Sequence, residues 1–304
     1  MPTRTVLSKA NPKVSVIIPS LDGYRNGNVG KLVNQIKNQT FKDIEIILVI
    51  GEMPNGHARN VGVEKAKGDL FVFMDDDAIL GDNRVIENLI KTFSIDDRIG
   101  MVGASTLVPE DSNWFQRWLA KEEPRATYAR VDKVTETKEG ATHLCCAFPR
   151  RVYGRLGGES DILITGTDLD MRHRIRKAGY KIVLASNCWV YHPLPSNLVQ
   201  AVKNWWWYGT GSHIFAVTNP DMAKVRNFRS KAHAFLFIVF MMLFFFVNII
   251  LSLDENRKIR LRFKPLMALK GLILSLGYVA GWAKAIKGEE PLNIWKEIDS
   301  KLRR

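Results

Sequence analysis

A chain of 304 residues has room for one sizeable domain plus an appendage rather than for two full domains. With 46% hydrophobic and 25% charged residues it can bury an ordinary core, which excludes a disordered or fibrous chain. The net charge of +13 is not ordinary and calls for an anionic partner: nucleic acid, phospholipid or a phosphorylated substrate.

The first apolar run, residues 14–18, is too short for a secretory leader and reads as a buried strand stopped by Pro19. A Gly-rich polar loop (22–30) and a helix over 31–39 follow. The next strand, 44–50, is almost wholly apolar, as a sheet covered on both faces requires. A helix over 56–67 with Gly68 as its stop leads to a third buried strand, 70–74, which runs straight into Asp75, Asp76 and Asp77. Strand alternating with helix is the pattern of a mainly parallel α/β sheet flanked by helices. Ligands of such sheets bind beyond the carboxyl ends of the strands, where the three aspartates lie.

A helix over 85–93 and a strand over 99–106 continue the pattern. Residues 114–120 predict a short amphipathic helix and 128–137 an exposed strand. Residues 141–148 are apolar, and 154–167 read as a loop. A helix over 168–178 stopped by Gly179 precedes strands at 181–185 and 188–191. Cys145, Cys146 and Cys188 have no zinc spacing and no pair placed to bridge, so reduced thiols in a cytosol-facing domain are expected.

Composition changes abruptly after residue 220. Residues 232–253 are apolar except for His233, Asn248 and Ser252, and a helix of that length is about 33 Å long, enough to cross a bilayer core of about 30 Å. A second apolar stretch, 265–286, is interrupted by Lys270 and Lys284 and either spans or lies in the interface. The connector 254–264 carries five bases against two acids. A hairpin of two spans with its tip outside breaks the positive-inside rule, and a segment that dips in and returns obeys it; the hairpin is preferred. The expected division is a catalytic domain over 1–220 and a basic, membrane-anchoring region over 221–304.

Three consecutive aspartates behind a buried strand repel one another unless a cation offsets them, and hard carboxylate oxygens suit Mg2+ or Mn2+. A solvated acidic turn is the plain alternative. Asp168 falls in the first turn of its helix, where the dipole favours a carboxylate able to accept a proton from an attacking hydroxyl; a simple helix cap would use the same residue. The segment Trp205-Trp206-Trp207-Tyr208 suits a headgroup region or an aromatic core helix. A functional version is an entrance for a lipid-linked substrate, with Lys203 and His213 near its phosphate.

Four segments then occur in order: Val16 to Ser20, His57-Ala-Arg-Asn-Val-Gly62, Gly68 to Asp77 and Gly166 to Tyr180. Together, over roughly residues 12–215, they resemble the family-two inverting glycosyltransferases of GT-A fold. The resemblance implies that Pro19, Ser20 and Asp22 hold the nucleotide base and that His57, Arg59 and Asn60 lie beside the nucleotide. It implies that Asp75 and Asp76 belong to the donor site, that Asp75 and Asp77 match the family's Asp-x-Asp with Asp77 on the metal, and that Asp168 is the catalytic base. His192 falls where several members place a histidine on the metal or diphosphate. Thr167, Lys203, Trp206 and Tyr208 take the acceptor side. Two departures stand out: Glu52 occupies the turn where the family usually carries an acidic-Asp-Gly-Ser sequence, and Thr167 replaces the usual Glu before the base.

The implied activity is a metal-assisted single displacement from a nucleotide-sugar donor to a lipid-linked or membrane-proximal glycan, at a membrane and on its cytoplasmic side. Membrane lipid is then the partner that the basic charge serves, and nucleic acid is not. A sugar-nucleotide pyrophosphorylase is the rival enzyme, but its Gly-rich N-terminal loop is missing from Ile17 to Asp22. A non-catalytic membrane-tethered binding protein would need neither Asp77 nor Asp168.

Overall fold

The computed structural model describes residues 3–123, 129–222, 228–253, 259–261 and 263–287. The chain divides into two compact units: one of residues 1–112, 124–162 and 167–194, and a second of 113–123, 163–166 and 195–304.

The first unit is a mixed α/β sheet flanked by helices. In chain order it contains β1 (Arg4–Leu7), β2 (Val14–Ser20), α1 (Asn28–Lys37), β3 (Ile44–Ile50), α2 (Asn55–Lys65), β4 (Leu70–Met74), β5 (Ile79–Leu80), α3 (Val85–Thr92) and β6 (Ile99–Leu107). In the second unit, α4 (Trp114–Glu122) comes next in the chain. The first unit resumes with β7 (Thr135–Glu136), β8 (Cys145–Pro149), α5 (Arg150–Arg155), α6 (Thr167–Lys177) and β9 (Lys181–Tyr191). The strand order is β1-β3-β2-β4-β8-β6-β9-β5, with β7 paired to β9.

Strands β2, β3 and β4 are parallel and almost wholly buried, as their mostly apolar runs require, and the polar pair inside them is satisfied by a hydrogen bond from Ser15 Oγ to Glu45 at 2.6 Å. β8 then enters antiparallel between β4 and β6, and β6 pairs parallel with β9. Two reversals in succession leave β6 and β9 pointing the same way as β2 to β4. The carboxyl ends of β2, β3, β4 and β9 therefore share one edge, and so does the start of β8. The sheet is covered on both faces: Leu32, Ile36, Leu89 and Val183 belong to the packing on one side, and Phe71, Phe73, Phe148 and Tyr153 to that on the other. Burying each such side chain contributes about 1.5–3 kcal/mol.

Most expected elements appear within a residue or three of their predicted limits, and four differ. α1 begins at Asn28 because Gly27, at φ +84°, takes the left-handed turn that starts it. The expected strand over 128–137 reduces to Thr135–Glu136; residue 128 lies outside the described residues. The loop expected from 154 begins as the end of α5. The two strands expected over 181–191 are one, β9, whose register with β6 shifts between Gly103 and Ser105. All three cysteines are buried free thiols.

The second unit holds α4, α7 (Leu198–Thr218), α8 (Lys231–Ile250), β10 (Leu251–Leu253), β11 (Ile259–Leu261) and α9 (Pro265–Ala285). The apolar helix expected over 232–253 ends at Ile250, where the chain turns into the β10–β11 pair. Residues 254–258 and 262 of the basic connector lie outside the described residues. Among the described residues α9 is the one helix long and apolar enough to cross a membrane; the stretch counted in α8 is shorter, Lys231–Val247. The start of α9 is held by α4: Met267 donates its backbone N–H to Glu122 Oε2 at 3.0 Å, and Lys270 pairs with Glu123.

Helices α7 and α9 approach through glycines. A Cβ on Gly209 would lie 2.3 Å from the Leu274 carbonyl oxygen, and one on Gly277 would lie 2.6 Å from that of Trp206. Both obstacles are backbone and cannot rotate away. Gly209→Val is expected to lower stability by about 1–3 kcal/mol, read as a lower thermal midpoint of the detergent-purified chain. Gly271→Ala, with open space around its Cβ position, should leave the midpoint unchanged or raise it slightly.

Candidate active site

The shared edge of the first unit gathers the polar residues. β4 delivers Asp75, Asp76 and Asp77 in a tight turn, with Ala78 N–H on the Asp75 carbonyl at 3.1 Å. Asn28, at the start of α1, clamps the turn by donating to the Asp76 carbonyl at 2.7 Å. The three side chains then find different partners.

Asp75 accepts from Arg59 Nη2 at 2.7 Å. Arg59 is carried by α2 and is only 2% exposed, so its guanidinium acts from inside the protein. Burial opposes its charge, but Asp75, Glu159 and Asp168 more than offset this and hold it firmly cationic. Asp76 accepts from Ser20 Oγ at 2.7 Å. Burial pushes Asp76 up to about 6, only partly opposed by Ser20 and Arg25. Asp77 faces Arg25, 3.0 Å away, and His192 Nε2 at 3.8 Å. Burial alone would raise Asp77, but His192 and Arg25 bring it down to about 2. His192, at the end of β9, is raised in turn: its burial is outweighed by Asp77.

The nucleotide-side candidates are arranged around that turn. Pro19 and Ser20 end β2, and Asp22 Oδ1 accepts the N–H groups of Tyr24 and Arg25. That turn sets Arg25 and Asn26 at positive φ and aims the Arg25 side chain at Asp76 and Asp77. Glu52, just past β3, lies 3.6 Å from His57, whose other ring nitrogen is 3.1 Å from Asp161. Asn60 is committed within the protein: it donates to the Glu159 carbonyl and to Asp161, and accepts from Glu159 N–H and Tyr153.

Asp168 sits in the first turn of α6, and Thr167 is the residue before it. The carboxylate touches His143, and its side chain is 35% exposed. Burial tends to raise Asp168, but His143, Arg172 and Arg59 hold it well below the usual carboxylate range. An ionised carboxylate with an open face can accept a proton. Lys203, Trp206 and Tyr208 belong to α7 in the second unit, where Trp206 and Tyr208 are exposed and Trp205 is buried. His213, expected near a phosphate, is instead buried against the Tyr278 ring.

Among the described residues no three His, Cys, Asp or Glu side chains converge into a self-sufficient metal cage. Asp77 with His192 Nε2 3.8 Å away is the pair whose chemistry suits a hard cation of the Mg2+ type, which is commonly held by one or two carboxylates and completed by substrate phosphates and water. Asp77 is ionised and already draws cationic groups to itself.

Three residues of this edge escaped sequence reasoning: Arg25, His143 and Glu159. Arg25 carried a weak signal as the one base in the Gly-rich loop. His143 stood as a lone titratable group inside an apolar run, which should itself have called for a buried partner.

A Rossmann-like α/β unit with its polar residues gathered at the strand ends is the architecture of nucleotide-using enzymes. The chain belongs to the family described as glycosyltransferase like family 2, whose model matches residues 4–210. It is 26% identical over 177 residues to the O-antigen chain rhamnosyltransferase RfbN of Salmonella typhimurium, covering 53% of this chain and 52% of that protein. It is 25% identical over 169 residues to the O-antigen chain rhamnosyltransferase WbaN of Salmonella anatum, covering 50% of each. The chain thus spans about half the length of these curated relatives. A solved mannosyltransferase, PcManGT of Pyrobaculum calidifontis in complex with GDP-Man and Mn2+, shows a distant likeness: TM-score 0.48 and 14% identity, covering 98% of this chain and 83% of that one.

The electrostatics of this edge predict a pH response. His143 has its ordinary value of 6.5 raised to about 9, because burial is outweighed by Glu159 and Asp168. Its charge therefore contributes stability that is complete below about pH 6.5 and lost as pH rises towards 9. Urea unfolding should show the midpoint falling across that window in the wild type and falling less in His143→Gln, where the raised His192 still contributes.

Proposed function

We propose that the chain is an inverting glycosyltransferase that moves a sugar from a nucleotide-sugar donor to a lipid-linked or membrane-proximal glycan. The observation that carries the reading is the pairing of two acidic centres around one buried cation: Asp75 at the end of β4 and Asp168 at the start of α6 both act on Arg59. Family membership supports the reaction class. The O-antigen chain rhamnosyltransferases support a growing glycan as acceptor and make a deoxyhexose donor the first to try.

In this reading Pro19, Ser20, Asp22 and Glu52 line the nucleotide side, with His57 beside them. Asp75, supported by Arg59, and Asp76, supported by Ser20, shape the ribose and diphosphate site. Asp77 and His192, with Asp75, would hold Mg2+ or Mn2+. That cation, when bound, neutralises charge on the departing diphosphate. Arg25 adds a second positive group at the same place, and its exposed side chain can turn from Asp77 to a phosphate. Asn60 shapes the site indirectly by holding the loop that carries Glu159 and Asp161.

Asp168 accepts the proton of the acceptor hydroxyl as its oxygen bonds to the anomeric carbon. The bond from that carbon to the diphosphate oxygen breaks, and the electron pair leaves with the nucleotide. A single displacement inverts the anomeric configuration and needs no covalent intermediate, consistent with three buried and unreactive thiols. Thr167 stands next to the base and offers a hydroxyl to the acceptor.

Incubation with Mn2+ or Mg2+ and a panel of nucleotide sugars, together with a lipid-linked glycan acceptor, tests the reading. Nucleotide release is expected for one donor, with Asp168→Asn slowed by about 10²–10⁴-fold. Asp77→Ala should lose metal-dependent release while keeping its fold by circular dichroism. Failure of every donor, or full activity in both variants, sinks the proposal.

The membrane reading rests on α8 and α9. α8 exposes Phe235, Leu236, Phe240, Leu243 and Phe246, an apolar surface of a kind soluble monomers rarely present. A catalytic region of 1–220, an anchoring region of 221–304 and a cytoplasmic site complete the picture, with Lys203, Trp206 and Tyr208 on the acceptor side. The full chain should sediment with membranes, resist extraction by high salt and carbonate, and dissolve in detergent. Release by salt alone would show an electrostatic attachment and no insertion.

A further inference from the structure

The reaction as derived uses neither His143 nor Glu159, yet these are two of the most enclosed ionisable side chains at the site. His143 precedes β8 with a side chain 2% exposed, and that of Glu159 is 0% exposed. The imidazole lies between two carboxylates. Nε2 is 2.8 Å from Glu159 Oε1, and Nδ1 is in contact with Asp168 Oδ1. The backbone N–H of His143 points at the same Asp168 oxygen, 3.4 Å away. Phe73 and Phe148 wall the ring, with centroids at 5.9 and 6.1 Å.

Burying an acid and a base in an aromatic box is costly unless each neutralises the other. Apart from these ionic contacts, the ring nitrogens of His143 and the carboxylate of Glu159 have no side-chain hydrogen-bond partner among the described residues. Glu159 is held from behind by its backbone: its N–H donates to Asn60 Oδ1 at 2.9 Å, and its carbonyl accepts from Asn60 at 3.0 Å. Asn60 is in turn fixed by Tyr153 at 2.8 Å. The chain Tyr153, Asn60, Glu159, His143, Asp168 thus runs from the core to the base.

We propose that Glu159 and His143 form a buried positioning dyad for Asp168, in which the imidazolium grips Oδ1 and leaves Oδ2 free for the acceptor hydroxyl. The inference rests on the reading of Asp168 as the base. The groups that face the ring decide its charge. Glu159 and Asp168 favour the imidazolium, while Arg59 and the desolvation of the site oppose it; Arg172 faces Asp168, and the Cys146 thiol is neutral. The two carboxylates prevail. The cation then keeps Asp168 ionised, and the fixed contact limits the carboxylate to one rotamer. Holding a reacting group in place is worth about 10²-fold per ångström of misplacement avoided.

The test is the pH dependence of kcat in the detergent-solubilised full chain, for the donor and acceptor that the nucleotide-release assay identifies. In the wild type, the acid limb should lie below the ordinary carboxylate range. His143→Gln should move that limb up by at least about one pH unit and lower kcat by about 10- to 10²-fold, with KM for the donor little changed. Glu159→Gln weakens the grip without emptying the ring's place, so it should move the limb the same way by less. It carries the kinetic test if His143→Gln does not fold. Independently, the 13C signal of the His143 ring should titrate well above an ordinary histidine and fall towards it in Asp168→Asn.

Limbs unmoved in folded, active variants, or a ring that is neutral at pH 7, overturn the dyad alone. A wild type that transfers no sugar from any donor overturns the base itself, and the dyad with it.

Discussion

The structure is organised around a problem of charge. Asp75, Asp76, Asp77, Glu159 and Asp168 converge on one edge of a largely apolar sheet, and like charges brought together resist ionisation. Arg59 is the internal answer. Its guanidinium is buried under the edge, bonded to Asp75 and close enough to Glu159 and Asp168 to be held cationic by both. Placing that charge on α2, beneath the strand ends rather than in solvent, keeps it unscreened by salt and fixed in direction. Asp75, Glu159 and Asp168 thereby share one counter-ion. A change at one acid must reach the others through it.

The acids are not treated alike, and the differences follow from partners. Asp77 has two cationic neighbours that overcome its burial and ionises readily, whereas burial pushes Asp76 up to about 6 against the opposing pull of Ser20 and Arg25. Asp168 keeps an open face towards solvent, and a fixed imidazole holds it ionised. In the proposed mechanism a cation-binding acid, a hydrogen-bonding acid and a proton acceptor are thereby separated by their surroundings, although the sequence writes all three as aspartate. Such separation is how one site runs several chemistries at a single pH.

How much of this was legible depends on how local the determinant is. β2, β3 and β4 were readable because each is a short, mostly apolar run, with Pro19 near the end of β2 and an acid directly after β4. The acidic turn was readable because β4 runs directly into it. The end of the helix bearing Asp168 was readable from Gly179, which the structure places at positive φ. The antiparallel entry of β8 between β4 and β6 was not, since it depends on pairing across more than seventy residues. With it was lost the approach of His143 to Asp168 and Glu159, which no local spacing encodes.

The excess of positive charge also takes on a different meaning. The basic run at the end of α6 suggested an anionic partner when read as a surface. In the structure Arg172 is buried and donates to the Ala141 carbonyl, just ahead of His143. Arg174 pairs with Asp170 and also donates to the carbonyls of Leu156 and Gly158, the turn that leads into Glu159. Arg176 donates to the Lys138 carbonyl. These three arginines thus brace the backbone near His143, Glu159 and Asp168, and a nucleic-acid surface loses its strongest support in this unit. The other concentration of bases lies in the last third of the sequence, among the apolar helices. In the membrane-anchored function proposed above, an anionic lipid surface would match both the charge and the hydrophobicity there.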